Sequence, residues 1–244
     1  MDHGIWATWY DVLPSERDTY LTWLHKLYLP ELSARDGYRW VAHYESVHGG
    51  GAMKIYEETL VRPSDKDVPV GTQFVMIVAG DSPHTFLNPS VFCESFELSE
   101  ENRLMLGRQL NRRTCLFSEE KRIDGPAANG QSNGYIPGPA LQFGSFCISS
   151  NDAEFALGKW YAQYRLPAMA KMPSCMTVRK LLSVAGWAKH AVMYEFESLE
   201  GRLNDFEIPH EAKGLEKDSW SHKIVSTTIH APGSPMVARR IWPK

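Results

Sequence analysis

Two stretches decide the fold: Trp23-Leu24-His25-Lys26-Leu27-Tyr28-Leu29-Pro30 and Trp160-Tyr161-Ala162-Gln163-Tyr164-Arg165-Leu166-Pro167. They share Trp, Leu and Pro at the same spacing, and each matched pair lies 137 residues apart. In both, apolar residues recur at helical spacing after a segment rich in strand-forming residues. A strand followed by an amphipathic helix therefore occurs twice, which predicts an internal repeat.

The remaining apolar segments extend this repeat. Strands are predicted at 3–10, 38–44, 74–79 and 114–121 in the first half, and at 141–149, 176–184, 190–196 and 224–230 in the second. A second helix is predicted at 100–110 and at 198–206, and an extra loop at 49–70. The order βαββαβ in each half predicts an α+β fold of two tandem ferredoxin-like units. Two such units can cover each other's bare sheet face and form an intramolecular dimeric α+β barrel.

The segment 124–139 is crowded with Gly, Pro, Asn and Ser, and no apolar period of 2 or 3.6 can be traced through it. We interpret it as a linker. The predicted domains are therefore 1–123 and 140–244, each a ferredoxin-like α+β barrel unit.

Composition excludes several classes of function. The formal net charge is −3 and Arg occurs in pairs without a basic stripe, so no nucleic-acid partner is expected. No run approaches the roughly 18 apolar residues that a membrane span needs, and the N-terminus lacks a basic region followed by an apolar run. We expect no membrane partner and a cytoplasmic location.

The cysteines give no sign of a metal or disulfide site. Cys93, Cys115, Cys147 and Cys175 show no CxxC spacing and no His at ligand spacing. They are interpreted as reduced core residues. No P-loop, GxGxxG or hydrolase motif is present either, so we expect neither a metal nor another cofactor.

The two helix motifs resemble those of the dimeric α+β barrel superfamily, whose members often carry a W-Y-x-x-x-H-L-P helix after the first strand. Both copies depart from that pattern at the His position, which holds Tyr28 and Arg165. The second half, at 190–200, also resembles the plant polyketide cyclases of the olivetolic acid cyclase type. That resemblance implies that His190 lines a pocket and that His210, one helix further on, is a catalytic base.

Five residues are candidates for acid–base chemistry. His25 and Tyr28 lie on the inward face of the first helix, and His43 alternates on strand 38–44 with Trp40 on the opposite face. His190 begins an apolar strand, and His210 is predicted in a loop. Imidazole is poised for proton transfer near neutral pH. A hydrogen-bonded core or strand-end His, or an exposed loop His, is the structural alternative in each case.

Aromatic residues supply a candidate binding surface. Trp9, Trp40, Tyr161 and Tyr194 could line a pocket for a flat apolar ligand, or simply form core.

These patterns lead to a cofactor-independent lyase, cyclase or isomerase that acts on a small aromatic or polyketide-like molecule. A cofactor-free monooxygenase of the same superfamily, a haem protein or a non-catalytic binding protein are the alternatives. Haem proteins of the chlorite dismutase type need an axial His on a helix of the second half, and 152–171 contains none. We expect one asymmetric active site and allow for a homodimer of the fused chain.

Overall fold

The computed structural model describes residues 2–64, 68–88, 90, 98–128 and 135–244. We call residues 2–124 the N-terminal half and residues 135–244 the C-terminal half. The strands of the N-terminal half are β1 (Gly4–Asp11), β2 (Tyr38–Ser46), β3 (Phe74–Gly80) and β4 (Leu110–Asp124). Its α-helices are α1 (Arg17–Trp23), α2 (Leu29–Ser33), α3 (Gly51–Thr59) and α4 (Glu100–Leu106), with a 3₁₀ turn at Pro83–Phe86.

The C-terminal half also begins with a strand, a helix with a π-helical turn and a second strand, but it has no helix between its second and third strands and has one additional short strand. Its strands are β5 (Ala140–Ile148), β6 (Cys175–Ala185), β7 (His190–Phe196), β8 (Thr228–His230) and β9 (Met236–Trp242). Its α-helices are α5 (Asn151–Trp160), α6 (Leu166–Met169), α7 (Leu199–Gly201) and α8 (Trp220–Val225). A π-helical segment, Arg202–Glu211, and a 3₁₀ turn, Ala212–Gly214, lie between α7 and α8.

Eight strands of the described residues close into an antiparallel barrel in the order β1-β3-β2-β9-β5-β7-β6-β4. Two seams join the halves. Tyr44 of β2 pairs with Arg240 of β9, and Phe117 of β4 pairs with Ser183 of β6. The short strand β8 pairs with the end of β5 beyond β9. The predicted α+β fold class is confirmed.

Alternation along the strands separates two environments. On β2, Trp40, Ala42 and Tyr44 face the barrel interior, whereas Val41 and His43 face the helices outside. The interior is packed mainly with apolar side chains from all eight barrel strands. The helices cover the outer face of each half and form a second core there. Each half therefore has a layer between sheet and helices in which a ligand site could lie.

One group of charges interrupts the apolar interior. The Arg179 guanidinium contacts Asp2 at 2.8 Å, Glu119 at 3.3 Å and Glu195 at 3.7 Å. Glu195 also accepts a hydrogen bond from the Tyr135 hydroxyl. Arg179 and Glu195 are both fully buried, so their charges depend on each other for compensation.

The repeated motif forms the same irregular helix twice. A π-helical turn, Leu24–Tyr28, separates α1 from α2, and Tyr161–Arg165 separates α5 from α6. Each turn precedes a Leu-Pro pair, and proline has no N–H with which to continue the α-helical ladder. The longer hydrogen bond from Leu166 N to Tyr161 O accommodates this break.

The structure corrects the sequence prediction at two places. The predicted loop at 49–70 contains α3, whose first turn donates the Gly50 and Met53 amides to the Glu207 carboxylate of the other half. The predicted strand 224–230 is wrong at its start, because the Ser219 side chain caps α8 and draws Ile224 into a helix. Strand β9 was not predicted.

Some predictions lie outside the described residues, namely Cys93 and the part of the linker at 129–134. Cys115, Cys147 and Cys175 are free thiols. In the part of the chain that the structure describes, no helix is long and apolar enough to cross a bilayer. Among these same residues, no group of three or more His, Cys, Asp or Glu side chains could hold a metal ion.

Candidate functional site

The candidate site lies in the C-terminal half, where α5, its π-helical turn and α6 cover the outer face of the sheet. Tyr161 lines two adjoining spaces there. The first, which we call the groove, has a volume of about 490 Å³ and lies between this helix and strands β4 and β6. The second, the inner cavity, has a volume of about 40 Å³ and lies beneath the helix.

The groove is largely apolar. Its size is within the range of about 300 to 1,000 Å³ that small-molecule sites occupy. The polar groups along it are Glu120, Lys121 and Lys180. The apolar part is formed by Ile123, Gly158, Ala162, Leu166, Pro167 and Ala170. A ligand with an apolar body and few polar groups fits this lining best.

A row of three ionisable side chains ends at the groove. The Glu154 carboxylate lies 2.8 Å from His190 Nε2, and His190 Nδ1 lies 3.0 Å from Lys180 Nζ. In the tautomer that this arrangement favours, Nε2–H donates to Glu154 and Nδ1 accepts from the amine. Lys180 Nζ also contacts Glu120 at 3.2 Å and the carbonyl oxygen of Leu181 at 3.3 Å. A proton can therefore pass between Lys180 and His190 without any large movement.

The pKa of each member of this row is shifted from its ordinary value. Desolvation lowers the pKa of Lys180, and desolvation together with the neighbouring Lys180 charge lowers the pKa of His190. Burial opposes ionisation of Glu154, but hydrogen bonds from Lys189 and His190 outweigh it and lower its pKa. His190 is thus a neutral acceptor at neutral pH, and the Lys180 amine loses its proton more readily than an exposed lysine.

Tyr161 and Tyr194 meet between helix and sheet. Both side chains line the inner cavity, and burial raises the pKa of Tyr194 to about 12 and raises that of Tyr161 as well. The Lys180 ammonium lies 5.4 Å from the centre of the Tyr161 ring. Both phenols therefore remain protonated and can donate hydrogen bonds at neutral pH.

The inner cavity is dominated by Arg165. Its guanidinium is 4% exposed and lies 3.1 Å from Glu211. It also lies over the ring of Trp160 at 4.7 Å. His210 was expected in a loop but lies in the π-helical segment, where burial and the Arg165 charge lower its pKa.

The N-terminal half holds the other two predicted histidines. His25 Nε2 lies 2.8 Å from His43 Nδ1, and the Tyr10 hydroxyl lies 2.8 Å from His43 Nε2. The Tyr20 ring lies against the Tyr10 ring, with centres 5.8 Å apart. Burial lowers the pKa of His25 to about 4 and raises the pKa of Tyr20 to about 12. Aromatic side chains pack the space around this chain between helices and sheet.

The remaining predicted residues lie elsewhere. Tyr28 stacks on Trp23 with ring centres 5.2 Å apart. Trp9 and Trp40 face the barrel interior, on the opposite side of the sheet from the histidines. The structure therefore brings together His190, Tyr161 and Tyr194 in one half and His25 with His43 in the other. Trp9 and Trp40 take no part in either group.

Three residues of the site were not singled out from the sequence: Glu154, Arg165 as a cavity residue, and Lys180. A signal for Lys180 was available, because the 137-residue separation that relates Trp23 to Trp160 also relates His43 to Lys180. Both side chains project from the second strand of their half toward the helices. No comparable signal identifies Glu154.

Solved structures of the same fold provide an external comparison. A provisionally assigned monooxygenase from Fusobacterium nucleatum is 6% identical, with 98% of this chain and 93% of that chain covered and a TM-score of 0.60. An anthrone oxidase-like protein is 10% identical, with 99% and 92% covered and a TM-score of 0.59. A chlorite dismutase variant from Candidatus Nitrospira defluvii is 15% identical, with 99% and 90% covered and a TM-score of 0.50.

At these identities the similarity shows a shared ferredoxin-like α+β barrel fold and carries no activity to this chain. No known family of sequences matches the chain. No curated protein matches it either.

The residues of the C-terminal half do not fit a haem. The helix from Asn151 to Met169 contains no His, and aromatic rings of Trp160, Tyr161 and Phe206 fill the layer between helix and sheet. The inner cavity of about 40 Å³ is far smaller than a macrocycle requires, and no His among the described residues lines the larger groove.

Proposed function

We propose that the chain is an enzyme that moves protons on a small aromatic or polyketide-like molecule bound in the groove, as a lyase, cyclase or isomerase does. The observation that carries this proposal is the row Glu154–His190–Lys180, which ends at an apolar groove of about 490 Å³. An apolar wall with a few converging polar groups of shifted pKa is the usual form of such a site.

In this mechanism Lys180 is the group that meets the substrate. Its ammonium passes a proton to Nδ1 of His190, and the resulting imidazolium is stabilised by the Glu154 carboxylate. The free amine then accepts a proton from carbon beside a carbonyl or from a phenol. The same proton can return to a different atom of the substrate, so the reaction requires only these side chains. Tyr161 forms the wall against which the amine is held.

The architecture supports a further part of the proposal. We infer that the chain is a tandem fusion with units at 1–123 and 140–244, since both halves have the same strand order and the same π-helical turn. The cyclase-like placement of His190 at the start of the third strand supports the C-terminal half as the active one. His210 lines neither the groove nor the inner cavity, so it has no part in this mechanism.

A carbon-acid substrate tests the proposal directly. We would follow hydrogen–deuterium exchange beside the carbonyl of 2-tetralone in D₂O by proton NMR. General acid–base catalysis contributes about 10²- to 10⁴-fold, so Lys180→Met and His190→Asn should each reduce the enzymatic rate by at least about 100-fold. His25→Asn is the matched control, because it removes an imidazole from the other half. Equal rates for wild type and Lys180→Met, both folded by circular dichroism, would contradict the proposal.

Oxygenation is the second candidate function, favoured by the names of the two similar structures with TM-scores of 0.60 and 0.59. Deprotonation at the groove would give a substrate anion that itself reduces O₂. For anthrone, one O₂ would be consumed, one oxygen retained as the new carbonyl and the other released as water. An oxygen electrode distinguishes the two functions, since only oxygenation consumes O₂. Ligand binding that is unaffected by Lys180→Met and His190→Asn, with neither activity present, would favour a non-catalytic binding protein.

A further inference from the structure

The inner cavity contains hydrogen-bond donors that no acceptor satisfies. Arg165 is 4% exposed, and its Nη2 contacts the Glu211 carboxylate at 3.1 Å. Its Nε and Nη1 have no hydrogen-bond partner among the described residues, and neither does the indole nitrogen of Trp160. Both side chains line the cavity. Buried donors are almost always paired, so unpaired donors that face one space indicate a missing acceptor.

The guanidinium cannot satisfy these donors by turning toward solvent. It is held over the rings of Trp160 at 4.7 Å, Phe206 at 5.2 Å and Tyr194 at 5.9 Å. Contact with these ring faces favours the cation and fixes its plane. The adjacent Tyr194 hydroxyl and the Glu211 carboxylate raise the pKa of Arg165 despite its burial, so it remains charged. The orientation of its free N–H groups is therefore built into the packing.

The size of the cavity limits the acceptor. A volume of about 40 Å³ holds about three water-sized positions, given roughly 10 to 15 Å³ for each. A carboxylate group consists of three heavy atoms, and its planar pair of oxygens matches a guanidinium edge. Arg62 donates hydrogen bonds to the carbonyl oxygens of Ala231 and Ser234, which are next in sequence to the cavity residues His230 and Pro235, so a second positive charge lies nearby.

We propose that the inner cavity is a binding site for the carboxylate group of a small organic acid, with Arg165 as its principal donor. The site is distinct from the groove, because Lys180 and His190 do not line it. The carboxylate can belong to a free short acid or form the end of a larger aromatic acid. In the second case the ring extends from the mouth of the cavity.

Calorimetric titration with formate, acetate and benzoate tests this site. We expect saturable binding that Arg165→Met abolishes. Arg113→Met is the matched control, because Arg113 is also buried, also stacked on a tryptophan and also has an unpaired Nε, but does not line the cavity. Formate and acetate binding without benzoate binding identifies a free short acid, and tightest binding of benzoate identifies an aromatic acid.

Glu211→Gln provides a second test that keeps the shape of the cavity. The substitution removes the negative charge that competes with a bound acid for Arg165. The amide oxygen of Gln can still accept a hydrogen bond from Arg165 Nη2. Acid affinity should rise by at least about tenfold, because two like charges near one guanidinium repel strongly at low effective dielectric. Lack of saturable binding to both wild type and Glu211→Gln would overturn the proposal, as would equal binding by Arg165→Met.

A negative result for the carboxylate site can be distinguished from a negative result for the proposed enzymatic function. Carboxylate binding is measured without turnover, and Lys180→Met should leave it unchanged.

Discussion

Replacing Arg179 with methionine should destabilise the barrel by about 3 to 5 kcal/mol at neutral pH. The guanidinium is fully buried and contacts Asp2, Glu119 and Glu195. Removing one partner of a buried ion pair costs about this much, because the remaining charge is left without compensation. The largest part of this cost comes from Glu195, because it is wholly buried, whereas Asp2 keeps its contact with Arg122.

The loss should depend on pH in a definite direction. Burial already raises the pKa of Glu195, and the Arg179 charge opposes that rise. Without Arg179 the folded-state pKa of Glu195 rises further above its unfolded value. When the folded-state pKa of a group lies above its unfolded-state pKa, the folded protein loses stability as pH rises from the unfolded-state value to the folded-state value. The Arg179→Met protein should therefore be closer to wild type at pH 4.5 than at pH 7.5.

Urea unfolding followed by fluorescence of the eight tryptophans measures both effects. The double variant Arg179→Met/Glu195→Gln should recover more than half of the loss at pH 7.5, because it no longer buries an unpaired charge. A single variant that loses less than about 1 kcal/mol, or a double variant as unstable as the single one, would refute the reasoning.

Other predictions concern separate parts of the molecule. Glu207→Gln weakens the hydrogen-bond acceptor for the first turn of α3. The α3 amides should therefore exchange faster with deuterium, while the exchange of the α5 amides is unchanged. Equal α3 exchange in the variant and the wild type would contradict this. Tyr10→Phe removes the hydrogen bond to His43 and should cost about 1 kcal/mol in urea unfolding. His25 should titrate near its lowered pKa of about 4 by NMR, so its contribution to stability is lost as pH falls from 6.5 toward 4. Phe143→Ala should cost about 3 to 5 kcal/mol, because the barrel interior cannot close over the lost ring.

The sequence contains enough information to predict the fold because its signals are local. Alternation on β2 correctly separates Trp40 from His43, and the repeated Trp-x5-Leu-Pro pattern locates the equivalent helix in each half. These periodicities follow from strand and helix geometry within a few residues. They do not depend on how the halves meet.

Elements that depend on distant contacts could not be predicted in the same way. The helix α3 is fixed at its start by the Glu207 carboxylate, which lies more than one hundred and fifty residues away along the chain. Strand β9 contains Arg239 and Arg240 and has little apolar alternation at its end. Its place between β2 and β5 comes from pairing on both sides.

In the candidate site, too, some features follow from local sequence and others depend on distant contacts. The strand start at His190 was predicted correctly, and His190 shares the outward face of the strand with Val192 and Tyr194. Its partners come from α5 and β6, and Lys180 reaches it through the register in which Leu182 pairs with His190. A shift of one residue in that register would turn Lys180 into the barrel. The contact between Lys180 and His190 therefore depends on how β6 and β7 pair, which the sequence alone does not specify.

The two seams of the barrel also determine how the chain can associate. In a dimer of separate units, the same strand edges would hold two polypeptides together, and their pairing would depend on concentration. Here β2–β9 and β4–β6 pair within one chain, so closure is intramolecular and insensitive to dilution. A second copy would therefore have to bind outside these two seams.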